Sequence, residues 1–255
     1  MARGAGAVKH LPEPSYDVLD PNLVLGAYAV GVFPMADARD AAGIYWVEPR
    51  KRAILPLDGF HLSRSLRKTI AADRFRVTAD AVFEDVIALC AESADDRPDT
   101  WINTTIEHAF TNLHFRGYAH SIECWDGDDL VGGLYGLALG KAFFGESMVS
   151  RATDASKVAL AWLVARLRVG GFTLLDCQFQ TPHLASMGAV EIDRGDYVAL
   201  LGGAIEGSLG GESVGVSGAP GDFGALDLPL LSAGAVTVSG PAVGKDIVQL
   251  LTQTS

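Results

Sequence analysis

Residues 119–148, AHSIECWDGDDLVGGLYGLALGKAFFGESM, decide the fold. Ala119 to Trp125 reads as a strand and is followed by Asp126-Gly127, a dipeptide suited to a hairpin turn. Leu130 to Leu139 is a second strand, Gly140-Lys141 turns the chain, and Ala142 to Met148 is a third. A helix comes next. Asp154 is placed to cap it, Leu160, Leu163, Val164 and Leu167 form its apolar stripe, and Gly170-Gly171 ends it. Phe172 to Phe179 then returns as a fourth strand. Upstream, three amphipathic helices are spelled by Leu62, Leu66 and Ile70, by Phe83, Val86, Ile87 and Cys90, and by Ile106, Ala109, Phe110 and Leu113. Gly117 stands where the third should stop. Helices, a meander, a helix and a strand make an α+β class protein, with helices packed on a mostly antiparallel sheet.

Residues 1–60 are expected to form a small N-terminal subdomain. It holds one short helix from Asp20 to Gly31, with Pro21 in its first turn, and extended segments at Phe33-Pro34-Met35 and Ile44 to Val47. Residues 61–201 form the main domain, and 202–255 a Gly- and Ala-rich tail. Gly202 to Pro220 should be mobile. Apolar character returns at Val236-Thr237-Val238 and from Ile247 to Leu251, so residues 236–255 could dock back as a strand and a helix.

The chain has 255 residues, 49% of them hydrophobic and 20% charged, enough for a substantial core. Charges and glycines interrupt every apolar run before it could span a membrane, and Met1 to His10 lacks a signal peptide's apolar segment. A cytoplasmic protein is expected. Cys90, Cys124 and Cys177 are too far apart for a metal-ligand pattern and suit a reducing compartment. The net charge of −11 would repel nucleic acid except at a local patch. Val47 to Arg76 supplies one, with eight cationic side chains against three acidic ones. Arg64, Arg67 and Lys68 within it share one helix face, opposite Leu62, Leu66 and Ile70.

Two acids stand where core residues belong. Glu146 follows Phe143-Phe144-Gly145, and Asp176 follows Leu174-Leu175. Desolvating a carboxylate is costly, so such acids are candidates for chemistry. Gln178, two residues beyond Asp176, should share its face, with Cys177 on the other. An acid, an amide and a second acid suit holding an amine and guiding its proton. Cys177 is poorly placed against His183 for a nucleophile-base pair and is read as structural. Tyr45, Trp46, Trp101 and Phe110 are candidates for stacking on unpaired bases. The run Val131 to Gly136 is glycine-rich but opens no helix, so it is no phosphate loop; its glycines should admit a ligand or another backbone.

With these residues the chain resembles the leucyl/phenylalanyl-tRNA–protein transferase family. The resemblance runs in order over residues 20 to 201, through Gly31-Val32-Phe33-Pro34-Met35, Ile44-Tyr45-Trp46, Thr100-Trp101-Ile102, Leu130 to Gly136, Phe144 to Met148, Asp176-Cys177-Gln178 and His183 to Ala189. It implies an N-terminal subdomain joined to an N-acetyltransferase-like domain. It also implies transfer of leucine or phenylalanine, sometimes methionine, from Leu-tRNA or Phe-tRNA to proteins that begin with Arg or Lys, in N-end rule degradation. By resemblance, Asp176 and Gln178 assist proton removal from the amine, and Glu146 helps to hold it. Leu134, Phe143 and Leu175 line the donor side-chain pocket, and Trp46 and Trp101 lie near the terminal adenosine. Phe110 stands where the family usually has tyrosine, so only stacking or packing is expected of it. The Arg64 to Lys68 face would meet tRNA phosphates. An aminoacyl ester is already activated, so no cofactor, metal or covalent intermediate is expected, and a monomer suffices. The competing functions are an acyl-CoA-dependent N-acetyltransferase and a non-catalytic RNA-binding module.

Overall fold

The computed structural model describes residues 19–92, 100–206, 219–228 and 242–253. The meander is present as β5 (Ala119–Asp126), β6 (Asp129–Leu139) and β7 (Ala142–Ser150). They lie in a seven-stranded sheet ordered β4-β5-β6-β7-β8-β3-β9, where β3 is Lys51–Ile54, β4 Arg76–Ala79, β8 Leu174–Gln178 and β9 Val190–Asp193. Every pairing is antiparallel except β7 with β8. That parallel pair needs a crossover, and α5 (Ala155–Val169) supplies it. Asp154 sits at the start of α5 as expected, but in left-handed backbone at φ 68°, and its carboxylate binds Lys157 instead of capping the helix.

Strand alternation sorts the core into two layers. Leu134, Phe143 and Leu175 pack on the α5 side with α2 (Arg64–Ala71) and α8 (Gly244–Thr252). Tyr135, Phe144 and Leu174 pack on the other side against α1 (Pro21–Ala29), α3 (Phe83–Ala91), α4 (Thr104–Phe115) and α7 (Arg194–Ile205). Glycines on β6 permit the close layering. A Cβ on Gly136 would stand 2.3 Å from the Phe144 carbonyl oxygen, and one on Gly132 2.6 Å from Ala155 Cβ at the start of α5. It is protein, and not a ligand, that closes on these two positions.

The N-terminal region contributes α1 and a two-stranded sheet of β1 (Phe33–Met35) and β2 (Tyr45–Val47). Asp20 caps α1 by accepting from the Asn22 amide. Residues 51–54, on the N-terminal side of the expected boundary at residue 60, form β3 inside the large sheet. Of the tail, residues 207–218 and Val236-Thr237-Val238 lie outside the described residues, while Ile247 to Leu251 fall in α8, which docks on α2 and α5. Among the described residues no helix is long and apolar enough to cross a membrane.

Candidate active site between the splayed strands

The parallel pairing of β7 with β8 stops at Phe144 opposite Asp176, although β7 runs on to Ser150 and β8 to Gln178. Each strand carries a bulge just past that point. On β7, Gly145 pairs with Gly136 and Ser147 with Tyr135, so Glu146 is an extra residue without a cross-strand partner. On β8, Asp176 pairs with Ile54 and Gln178 with Ala53, so Cys177 is the extra residue. Bulges bend a strand and re-aim its side chains. Here the two bends face each other across the opening.

A cavity of about 280 Å³ occupies the gap. Its wall is largely apolar: Leu134, Met148, Leu160, Leu163, Leu175 and Leu184, with the half-buried Trp101 and the exposed Phe179. Glu146, Gln178 and His183 bring polar groups to the same space. Gln178 is held at φ 60°, a left-handed conformation costly for a side chain other than glycine. The expected alternation therefore breaks at this residue: Gln178 lines the cavity and Asp176 does not.

Asp176 is fully buried and saturated with donors. Arg52 on β3 approaches it edge-on, with Nε at 2.9 and 3.0 Å from the two carboxylate oxygens and Nη2 at 2.5 Å from Oδ2. The Gln178 backbone amide donates to Oδ1 at 2.7 Å, and the Tyr197 hydroxyl to Oδ2 at 2.8 Å. The Arg52 guanidinium lies between the rings of Phe33 and Tyr197, 4.6 and 4.7 Å from their centroids, and donates to the Gly31 carbonyl at 3.2 Å. Burial works against the Arg52 charge, but the bonds and charge of Asp176 more than offset it, and its pKa rises. Gly31 sits at φ 83°, and a Cβ there would meet the Tyr197 ring at 2.9 Å, so this crossing requires glycine.

Glu146 has a different environment. It accepts from the Tyr28 hydroxyl at 2.7 Å and from the Gln178 side-chain amide at 2.9 Å, both neutral donors. Burial pushes its carboxyl up to about 7; the bonds from Tyr28 and Gln178 oppose that rise, Asp176 adds to it, and Arg52 opposes it. Gln178 thus joins the acids, its backbone on Asp176 and its side chain on Glu146.

The other expected site residues divide. Leu134 and Leu175 line the cavity, as does Trp101, while Phe143 is fully buried behind it against Phe172 and Phe223. Phe110 is also fully buried, edge-on to Tyr28 and Tyr135, so it packs and is out of a substrate's reach. Trp46 is 38% exposed on β2, opposite Pro34, and is not part of the cavity wall. Cys177 lies on the wall, where it was expected to be purely structural. Burial and then Asp176 push its thiol well above the usual range, and among the described residues no hydrogen bond joins it to His183. That environment suppresses the thiolate a nucleophile needs.

Arg64, Arg67 and Lys68 are exposed on α2, outside the cavity, and make no ion pair among the described residues. The basic patch is thinner than its composition. Arg52 is buried, Lys51 faces Glu191 at 3.5 Å, and Arg74 meets Asp126 at 2.6 Å. Sequence reasoning also missed Tyr28, Tyr197 and Phe179 as site residues, and read Gly31 only as a helix end and part of the family's first string. Only Tyr28 leaves a trace in the pattern, falling four residues after Val24 on the buried stripe of α1.

Residues 54–202 match the family model described as leucyl/phenylalanyl-tRNA protein transferase, and residues 17–50 match its N-terminal domain. A leucyl/phenylalanyl-tRNA–protein transferase of Rhizorhabdus wittichii is 61% identical over 246 residues, covering 93% of this chain and 99% of the relative. One from Zymomonas mobilis is 65% identical over 189 residues, 74% of this chain and 70% of the relative. Among solved structures, L-PGS from Bacillus licheniformis superposes at a TM-score of 0.38 with 11% identity, over 61% of this chain and 51% of that one.

Proposed function

The chain belongs to the leucyl/phenylalanyl-tRNA–protein transferase family and is an aminoacyltransferase, and from that premise we propose that it moves leucine or phenylalanine, or methionine, from aminoacyl-tRNA to the N-terminal amine of proteins beginning with Arg or Lys, marking them for N-end rule degradation. One observation carries this assignment. An acid and an amide, Glu146 and Gln178, are hydrogen-bonded to each other at the wall of a largely leucine-lined cavity.

The donor's side chain enters among Leu134, Leu160, Leu163 and Leu175, which sets its ester carbonyl beside Glu146 and Gln178. An apolar pocket of this kind discriminates by a few kcal/mol at most, enough to prefer large unbranched-at-β side chains over small ones. The acceptor amine must arrive unprotonated at its nitrogen. Glu146 takes the proton, because its carboxylate borders the cavity and burial raises its pKa to about 7. Asp176 is closed to that role by four donors, and it fixes Gln178 instead. The amine nitrogen then bonds to the ester carbonyl carbon, the carbon–oxygen bond to the ribose breaks, and the proton shed by the nitrogen ends on the ribose hydroxyl. Juxtaposition supplies most of the acceleration, since the ester is already activated.

Trp101 and the exposed Phe179 offer faces for the terminal adenosine, and Arg64, Arg67 and Lys68 offer charge to the acceptor-stem phosphates. The proposed working unit is a monomer, and the proposed place of action is the cytoplasm. The test is transfer of radiolabelled leucine from Leu-tRNA to peptides beginning with Arg, Lys or Ala. Transfer to the first two and not the third is expected. No transfer to any, from folded protein, overturns the proposal.

A further inference from the structure

The geometry points to Tyr28, on the N-terminal helix, as a positioning residue for the transfer reaction, one that aims the Glu146 carboxylate and sets how readily it holds a proton. This rests on Glu146 as the proton acceptor and deepens that assignment.

Tyr28 is fully buried, and its ring lies edge-on to Phe144 at 5.0 Å and to Phe110 at 6.3 Å. The ring is therefore clamped between β7 and α4, and the hydroxyl has a fixed direction. It points at Glu146 Oε1, 2.7 Å away, while Gln178 takes Oε2. Glu146 is the bulged residue of β7 and lacks a cross-strand partner. Its strand leaves its direction loose, and two side-chain donors from α1 and β8 restore it. Gln178 is tied to Asp176 through its own backbone, so among the described residues the Tyr28 hydrogen bond is the one that ties this carboxylate to the N-terminal region.

The Tyr28 bond also has a chemical consequence. A phenol donating to a carboxylate favours the ionised form and makes it a weaker base; without it the carboxylate holds its proton to higher pH. Burial of the phenol keeps Tyr28 itself protonated and donating. The titratable groups around this pair are Tyr28 from α1, Arg52 from β3, Tyr135 from β6, Asp176 and Cys177 from β8, and His183 from α6 (Pro182–Ser186). Of these, Tyr28 alone bonds Glu146 directly, and its removal changes no net charge.

The experiment titrates the Glu146 carboxyl by carbon-13 NMR in the full chain, with its resonance assigned by its loss in Glu146→Gln. Tyr28→Phe keeps the clamped ring and removes only the hydroxyl. The Glu146 midpoint should rise by about one pH unit. Transfer at pH 7 should fall roughly 5-fold through the smaller ionised fraction and recover at higher pH. Replacing Tyr28 by 3-fluorotyrosine, a stronger donor of the same shape, should move the midpoint the other way and covers the case of a poorly folded Phe variant. An unmoved midpoint in either variant overturns the role of Tyr28. Glu146→Gln with undiminished transfer overturns instead the assignment of Glu146 on which it rests.

Discussion

Asp176 and Glu146 flank the same opening between β7 and β8, and the sequence presents them alike, as acids in apolar strands. Their surroundings are opposite. Asp176 is fully buried, off the cavity, and held by a guanidinium, a phenol and a backbone amide. Glu146 borders the cavity and has two neutral donors. A buried charge with a matched counter-charge is a fixed structural point, whereas one without has its pKa raised by burial, which is why the proposed proton acceptor is Glu146. The partner, more than the burial, divides the work.

The largest effect should come from breaking the closed side. Arg52→Met leaves Asp176 buried without its counter-charge, which costs about 3–5 kcal/mol of stability. Chemical denaturation measures it. Adding Asp176→Leu should recover most of that loss, because a well-packed apolar pair often equals a buried ion pair. A loss under about 1 kcal/mol for Arg52→Met would mean that the two acids differ less than their geometry says.

Glu146→Gln should do the reverse, lowering transfer by about 10²–10⁴-fold with little loss of fold. The sign of its pH dependence follows from a folded pKa near 7, raised above the ordinary 4.5. The native state binds the proton more tightly than the unfolded chain, so this group stabilises fully below about pH 4.5 and that contribution is lost as pH rises to 7. The swing is about 3 kcal/mol. Unfolding of the native sequence and of Glu146→Gln at pH 5 and pH 8 should therefore converge or cross in favour of the variant at the higher pH.

Both acids were legible in the sequence because a carboxylate in an apolar strand is conspicuous. Their difference was not. Arg52 hides in the run Arg50-Lys51-Arg52, where a solvated patch is the simplest expectation; only strand alternation, with Lys51 out and Arg52 in, separates it from its neighbours. The bulges at Glu146 and Cys177 and the left-handed Gln178 carry no local sequence signature, since register is decided by the strands across from them. Phe143 was expected on the pocket wall and lies in the core for a related reason: a pocket wall and a core use the same residues, whereas Phe110 packs, one of the two outcomes expected of it. The meander and its flanking helices were legible because turn residues and apolar periodicity agree along the whole stretch.

The cavity offers a smaller test. Leu160→Phe should narrow the space between α5 and the opening and shift preference from phenylalanine toward leucine by about 10-fold in kcat/KM. A change of that kind acts on the donor, not on the proton. The pH profile should keep its shape, in contrast to any variant of Glu146 or Tyr28.

The smallest effect belongs outside the site. Arg67→Ala and Lys68→Ala alter exposed positions on α2, so stability should move by no more than about 0.5 kcal/mol. If this face meets tRNA phosphates, each substitution should raise the KM for aminoacyl-tRNA several-fold and reduce the slope of log affinity against log salt by about 1. The minimal donor leucyl-adenosine lacks those phosphates and should react with both variants as with the native chain. Equal losses with both donors would place the effect in the acid pair after all. Losses confined to the full tRNA would leave the chemistry with Glu146 and Gln178, the holding of Gln178 with Asp176, and the capture of the donor with α2.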